Sequence, residues 1–146
     1  MLGGSRDASH RIALRKAIDG WGTQAGWQQV WDETCSPSFI SYFCGFREPV
    51  KGLEAAKAFN AALFEGFPSL EQTITAVAAE SEHVAYRHRL IGRNEGSFLG
   101  QAPTGRAVNI TGMTWMTIQD GRVVEEWYEL NHDELKRQLG LAAEDT

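Results

Sequence analysis

The feature that most constrains this chain is a change of hydrophobic period near Leu70. Before it, apolar residues recur every three or four positions, and after it they alternate with polar ones. Ile12, Leu14, Ala17, Ile18 and Trp21 predict a first helix, with Asp7 or Ser9 as its N-cap. The stretch "GWGT" interrupts it. Thr23 is then expected to cap a short second helix carrying Trp27, Val30 and Trp31, which ends near "CSP". Ser38 to Phe43 has β-character, "GFREPVKG" reads as a loop, and a third helix is expected from about Leu53 to Glu65. Its apolar stripe is Leu53, Ala56, Phe59, Ala62 and Leu63, closed by Gly66, Phe67 and Pro68.

Beyond Leu70, "EQTITAVAAE", "HVAYRHRLIG", "RAVNITGMTWMTIQDG" and "RVVEEWYELN" predict four strands. Asp120-Gly121 between the last two marks a tight hairpin, since both residue types tolerate the positive φ such a turn needs. "HDELKRQLG" predicts a closing helix with Gly140 as its C-cap. Helices followed by antiparallel strands define an α+β class, with the helices over one face of a curved sheet. The concave space between the layers is a natural small-molecule pocket.

Composition narrows the function. A chain of 146 residues is one domain by size, and its net charge of −5 comes with basic residues scattered along the sequence. That argues against a nucleic-acid partner. The apolar runs are short of the ~20 residues a membrane helix requires, and the N-terminal residues lack the apolar core of a secretion signal. The expected location is the cytoplasm, with Cys35 and Cys44 as reduced thiols. His10, His83, His88 and His132 are dispersed, so no metal site is expected.

"EGFPSL", "GSFLGQAPTGRAV", "IQDGRVVEEW" and the terminal "QLG" resemble, in order and spacing, the SnoaL-like polyketide cyclase family. The resemblance runs from about Ile12 to Leu141. It implies the nuclear transport factor 2-like fold, a cone-shaped α+β barrel with a deep pocket. It also implies ring closure by intramolecular aldol chemistry, without metal or organic cofactor. Proteins of this fold commonly form homodimers through the outer sheet face, for which Val124, Tyr128 and Met116 are the expected contacts. Two family positions are changed here. Asn94 stands where the family has a histidine, and Asn131 where it has an aspartate acid/base. Tyr42 matches a third family histidine, and Arg87 a family arginine.

An asparagine cannot exchange a proton near neutral pH. Strand alternation puts Trp127, Glu129 and Asn131 on one face and Val124, Glu126, Tyr128 and Leu130 on the other. If the Asn131 face lines the pocket, Glu129 becomes a replacement acid. The candidate catalytic set is therefore Glu129, Asn131 and Asn94, with Tyr42, Arg87, Arg89, Trp115 and Trp127 as substrate-binding residues. Each has a plainer reading beside it. Glu129 can be solvated or paired with an arginine, Asn94 can serve turn geometry, Tyr42 and the tryptophans can be core, and His88 reads as structural or interfacial. Three functions stay open: a cyclase-like or isomerase-like enzyme on a small, largely apolar carbonyl compound, an epoxide-hydrolase-like enzyme, or a binding domain without chemistry.

Overall fold

The computed structural model describes residues 2–22 and 25–141. Among these residues, four helices cover one face of a six-stranded sheet that curls without closing, the α+β arrangement of the nuclear transport factor 2-like fold. Helix α1 (Leu2–Gly22) begins ahead of both expected caps, so Asp7 and Ser9 lie within it. Its buried stripe is Ser9, Ala13, Lys16, Ala17 and Gly20; of the larger residues that periodicity selected, Ile12 and Leu14 are half-buried and Ile18 is about half exposed at 48%. Small side chains on the inner stripe let the helix lie close to the sheet. At Gly20 a Cβ would come within 2.7 Å of the Trp31 indole nitrogen.

Helix α2 (Trp27–Thr34) starts at Gly26, whose φ of 83° supplies the left-handed turn. Thr23, the expected cap, lies outside the described residues. Arg122 ends this helix from across the fold, donating to the carbonyls of Asp32 and Cys35 at 3.1 Å. Strand β1 (Cys35–Phe43) follows, then a two-residue strand β2 (Val50–Lys51) inside the segment expected to be loop. Pairing of Val50 with Ser41 gives that segment its ladder, a long-range effect that local composition does not carry. Helix α3 spans Leu53–Gly66, as its stripe predicts.

Strands β3 (Glu71–Glu80), β4 (His83–Arg93), β5 (Ala107–Gln119) and β6 (Arg122–Leu130) form the predicted meander. The sheet order is β2-β1-β6-β5-β4-β3, antiparallel except for the β1–β6 pair. Asp120 and Gly121 turn the last hairpin with φ of 51° and 74°, the double positive-φ geometry expected there. Helix α4 (His132–Leu139) closes the chain and ends at Gly140 in the left-handed conformation. Among the described residues no helix is long and apolar enough to cross a membrane.

The core lies between the sheet's concave face and α1–α3. Trp27, Trp31, Phe39, Val84, Met116 and Val123 are all at most 4% exposed within it.

Candidate functional site

The concave face is built row by row from the strand register. Ser41 lies beside Glu126 and Phe43 beside Tyr128 across the β1–β6 pair. Tyr128 faces Thr114 and Glu126 faces Met116 across β5–β6, while Tyr86 faces Thr114 across β4–β5. Glu126, Tyr128, Thr114, Tyr86 and His88 are each at most 4% exposed. The inward set on β6 is thus the one containing Glu126 and Tyr128. The set expected to line the pocket faces out.

This reverses the assignment of the candidate residues. Glu129 is exposed on the outer face. Trp127 is 37% exposed and stacks on Tyr42 there, with ring centroids 4.4 Å apart and planes 3° apart. Trp115 lies opposite Trp127 on the same outer face and stacks on His83 at 4.9 Å. Arg87 and Arg89 are exposed outside as well, Arg89 donating to Asn109 Oδ1 at 2.6 Å. Alternation separates the two sets of a strand but does not say which one the helices cover. The composition of each set held the missing signal: Val84, Tyr86, His88 and Leu90 are opposed by a set with two arginines. On β6, Tyr128 and Leu130 accompany Glu126, whereas Trp127 stands between Glu125 and Glu129. Met116 and Tyr128, expected as dimer contacts, are interior for the same reason.

Asn131 is not on the strand, which ends at Leu130. It is the N-cap of α4, where its side-chain oxygen accepts from the Glu134 backbone N–H at 3.3 Å. Asn94 is also structural. Its amide donates to the Gly66 and Gly96 carbonyls at 3.1 and 3.0 Å and accepts from the Thr104 N–H at 2.8 Å. These bonds fix the segment from Asn94 to Arg106 against the end of α3. A side chain at Gly96 would overlap the Glu65 carbonyl there. That segment and α4 enclose a surface pocket of about 410 Å³, its floor formed by Leu135 and Leu139.

The residues that sequence reading missed sit at the centre of the concave face. Lys16 Nζ lies 3.0 Å from Glu126 Oε1, with the two side chains 0% and 5% exposed. The ammonium also sits over the Trp31 ring at 4.1 Å and the Phe39 ring at 4.9 Å, a cation–π cage. Tyr128 donates to Gln72 Oε1 at 3.3 Å, and Gln72 donates to the Ala17 carbonyl at 2.9 Å. Burial raises the tyrosine hydroxyls of Tyr86 and Tyr128 well above their ordinary pKa, and the Glu126 charge adds to both shifts. Both stay protonated near neutral pH.

His88 pairs through Nε2 with Thr114 Oγ1 at 3.1 Å, and its ring stacks on Tyr128 at 4.9 Å. Burial lowers its pKa to about 4, so the imidazole is neutral. Gly112 makes room for it: any side chain there would come within 2.6 Å of the imidazole. Burial also pushes the Cys35 thiol up to about 11, which leaves no thiolate for nucleophilic work.

A cavity of about 20 Å³ adjoins this cluster, bounded by Ser41, Asn60, Glu126 and Tyr128 on its polar side. Phe43, Phe46 and Phe59 pack mutually at 5.0 to 5.7 Å beside it, and Phe46 is 40% exposed. Phe43 and Phe59 also form part of the cavity's apolar wall. Among the described residues no group of histidines, cysteines and carboxylates could hold a metal ion.

The fold and this interior define a cone-shaped α+β protein with a buried carboxylate and hydroxyl donors on its concave wall. The chain belongs to the SnoaL-like polyketide cyclase family, whose sequence model matches residues 11–139. A solved structure from Jannaschia sp. CCS1, assigned as a SnoaL-like polyketide cyclase, is 37% identical. The match covers 95% of this chain and 96% of that one, with a TM-score of 0.89. IdmH from Streptomyces antibioticus, assigned as a polyketide cyclase, is 20% identical over 91% of this chain and 99% of its own, with a TM-score of 0.77. TsrD from Streptomyces laurentii is also 20% identical, over 94% and 98% of the two chains, at a TM-score of 0.80. At 20% identity these last two show the fold alone. No curated protein matches the chain in sequence.

Proposed function

We propose that this protein performs cofactor-independent acid/base chemistry on a small, largely apolar carbonyl compound of aromatic or polycyclic type, with Glu126 as the proton-transfer group. The observation that carries the reading is the ion pair of Lys16 and Glu126, buried beside a cavity inside the cone. Such a pair is a poor device for stability, because desolvating two charges offsets their attraction. It does fix a carboxylate at one place on the cavity wall, within reach of a substrate C–H bond, where it acts as a base. The hydroxyl of Ser41, on the same cavity wall, supplies a donor suited to an oxygen that gains charge. A compound of that size exceeds the cavity of about 20 Å³, so this reading requires Phe43 and Phe59 on its wall to move apart when substrate binds.

The test is solvent deuterium exchange at the acidic carbon of a panel of aromatic 1,3-dicarbonyl compounds, followed by NMR. Wild type should accelerate exchange, and the Lys16→Met/Glu126→Gln double variant should lose it by about 10²-fold or more. The double variant avoids leaving Lys16 buried without its partner.

A second reading has its own support. The residues at both altered family positions are engaged in structural hydrogen bonds, Asn131 as a cap and Asn94 as a loop anchor. A domain that binds such a compound without converting it fits this. Ligand binding with no exchange on any compound favours it. An epoxide-hydrolase-like reading has less support, since no aspartate is buried among the described residues.

A further inference from the structure

We infer that the side-chain amide of Asn60 is an oxygen-binding group of the interior cavity, donating a hydrogen bond to the ligand's carbonyl or enolate oxygen while Glu126 faces the adjacent carbon. The inference rests on the acid/base reading above and adds to it the group that orients the substrate.

Asn60 is 3% exposed on the sheet-facing stripe of α3, among Leu53, Ala56, Leu63 and Phe64. Its Nδ2 has no hydrogen-bond partner among the described residues. A buried amide N–H without a partner is costly, and asparagine is a weak helix former, so neither packing nor propensity accounts for it. A leucine would suit the stripe better on both grounds. What the position does offer is a place on the cavity wall shared with Ser41, Glu126 and Tyr128. A space of about 20 Å³ is of the size that holds one oxygen-centred group such as a water molecule or a carbonyl oxygen. An N–H donor and a carboxylate on one small cavity are the two groups that enolisation needs.

In the step this implies, the C–H bond next to the substrate carbonyl breaks and its proton passes to a Glu126 carboxylate oxygen. The electron pair of that bond forms the carbon–carbon double bond. The carbonyl π pair moves onto the oxygen held by Asn60. When the enolate carbon attacks a second carbonyl of the same molecule, the proton held by Glu126 goes to the new alkoxide. Atoms and charge balance, and nothing else is consumed.

The probes are 2-acetylnaphthalene and 2-isopropenylnaphthalene, nearly isosteric compounds that differ in having a carbonyl oxygen or a methylene group. Wild type should bind the ketone roughly tenfold more tightly, and Asn60→Leu and Asn60→Ala should each abolish the preference. Asn60→Leu should also raise Tm, because it removes an unpaired buried donor and fills the wall. Equal binding of the two probes by wild type would overturn the inference, as would a preference that survives in either variant. A lower Tm for Asn60→Leu would also overturn it, since the amide would then have a structural partner. Failure here is separable from failure of the acid/base reading. Loss of exchange in the Glu126 double variant with an intact probe preference in Asn60→Leu sinks only the role of Asn60. A preference that depends on Asn60 without exchange in wild type sinks only the proton chemistry.

Discussion

Lys16 on α1 and Glu126 on β6, 110 positions apart in the chain, meet at 3.0 Å inside the cone. The pair joins the first helix to the last strand across the centre of the fold. Its position sets most of what can be tested.

Removing one partner should hurt stability far more than removing both. Lys16→Met leaves Glu126 buried and unpaired, which should cost about 3–5 kcal/mol. Lys16→Met/Glu126→Gln should recover most of that loss. Urea unfolding of wild type and the two variants measures the difference. Equal loss in single and double variants would show that the site relaxes to admit water.

His88 should make stability depend on pH in the acid range. Its folded pKa is about 4 against an ordinary 6.5, so the unfolded chain binds the extra proton first as pH falls. The full contribution is present above pH 6.5, shrinks between 6.5 and about 4, and levels off below. The loss is about 3 kcal/mol over that window. His88→Phe should flatten the slope between pH 6.5 and 4 in chemical denaturation. An unchanged slope would mean that the imidazole is solvated.

Asn131 should behave as a helix cap. Asn131→Ala frees the Glu134 N–H and should cost about 1 kcal/mol. Asn131→Asp should keep the cap and favour the helix N-terminus, with no change in the pH dependence of activity. Glu129→Gln, on the outer face, should leave turnover as it is. A shifted pH optimum in Asn131→Asp would return this residue to the site.

Two copies should pair through the outer sheet face, where Met113, Trp115 and Trp127 are 51%, 44% and 37% exposed. Exposed large apolar side chains clustered on a sheet face mark an interaction surface. Light scattering should give a dimer for wild type at micromolar concentration and a monomer for Trp115→Arg. A wild-type monomer would refute the pairing.

The amino-acid sequence by itself determined the elements and their order. The stripe from Leu53 to Leu63, the alternation after Leu70, the Asp120-Gly121 turn and the Gly140 cap are local signals, each set by side-chain period or allowed φ. The motif from Gly96 to Arg106 also carried the family. Only the tertiary structure decided which face of each strand looks inward. Period two is symmetric between faces, and the choice falls to whatever the helices cover, here Glu126, Tyr128, Tyr86 and His88. Nor could local pattern show that Lys16 is interior, because a lysine is buried only when a partner neutralises it, and that partner is a strand at the far end of the chain. Asn131 kept its family position in the sequence, but the end of β6 at Leu130 made it a cap. The candidate site moved by three residues from Glu129 to Glu126, and with it from solvent to the core.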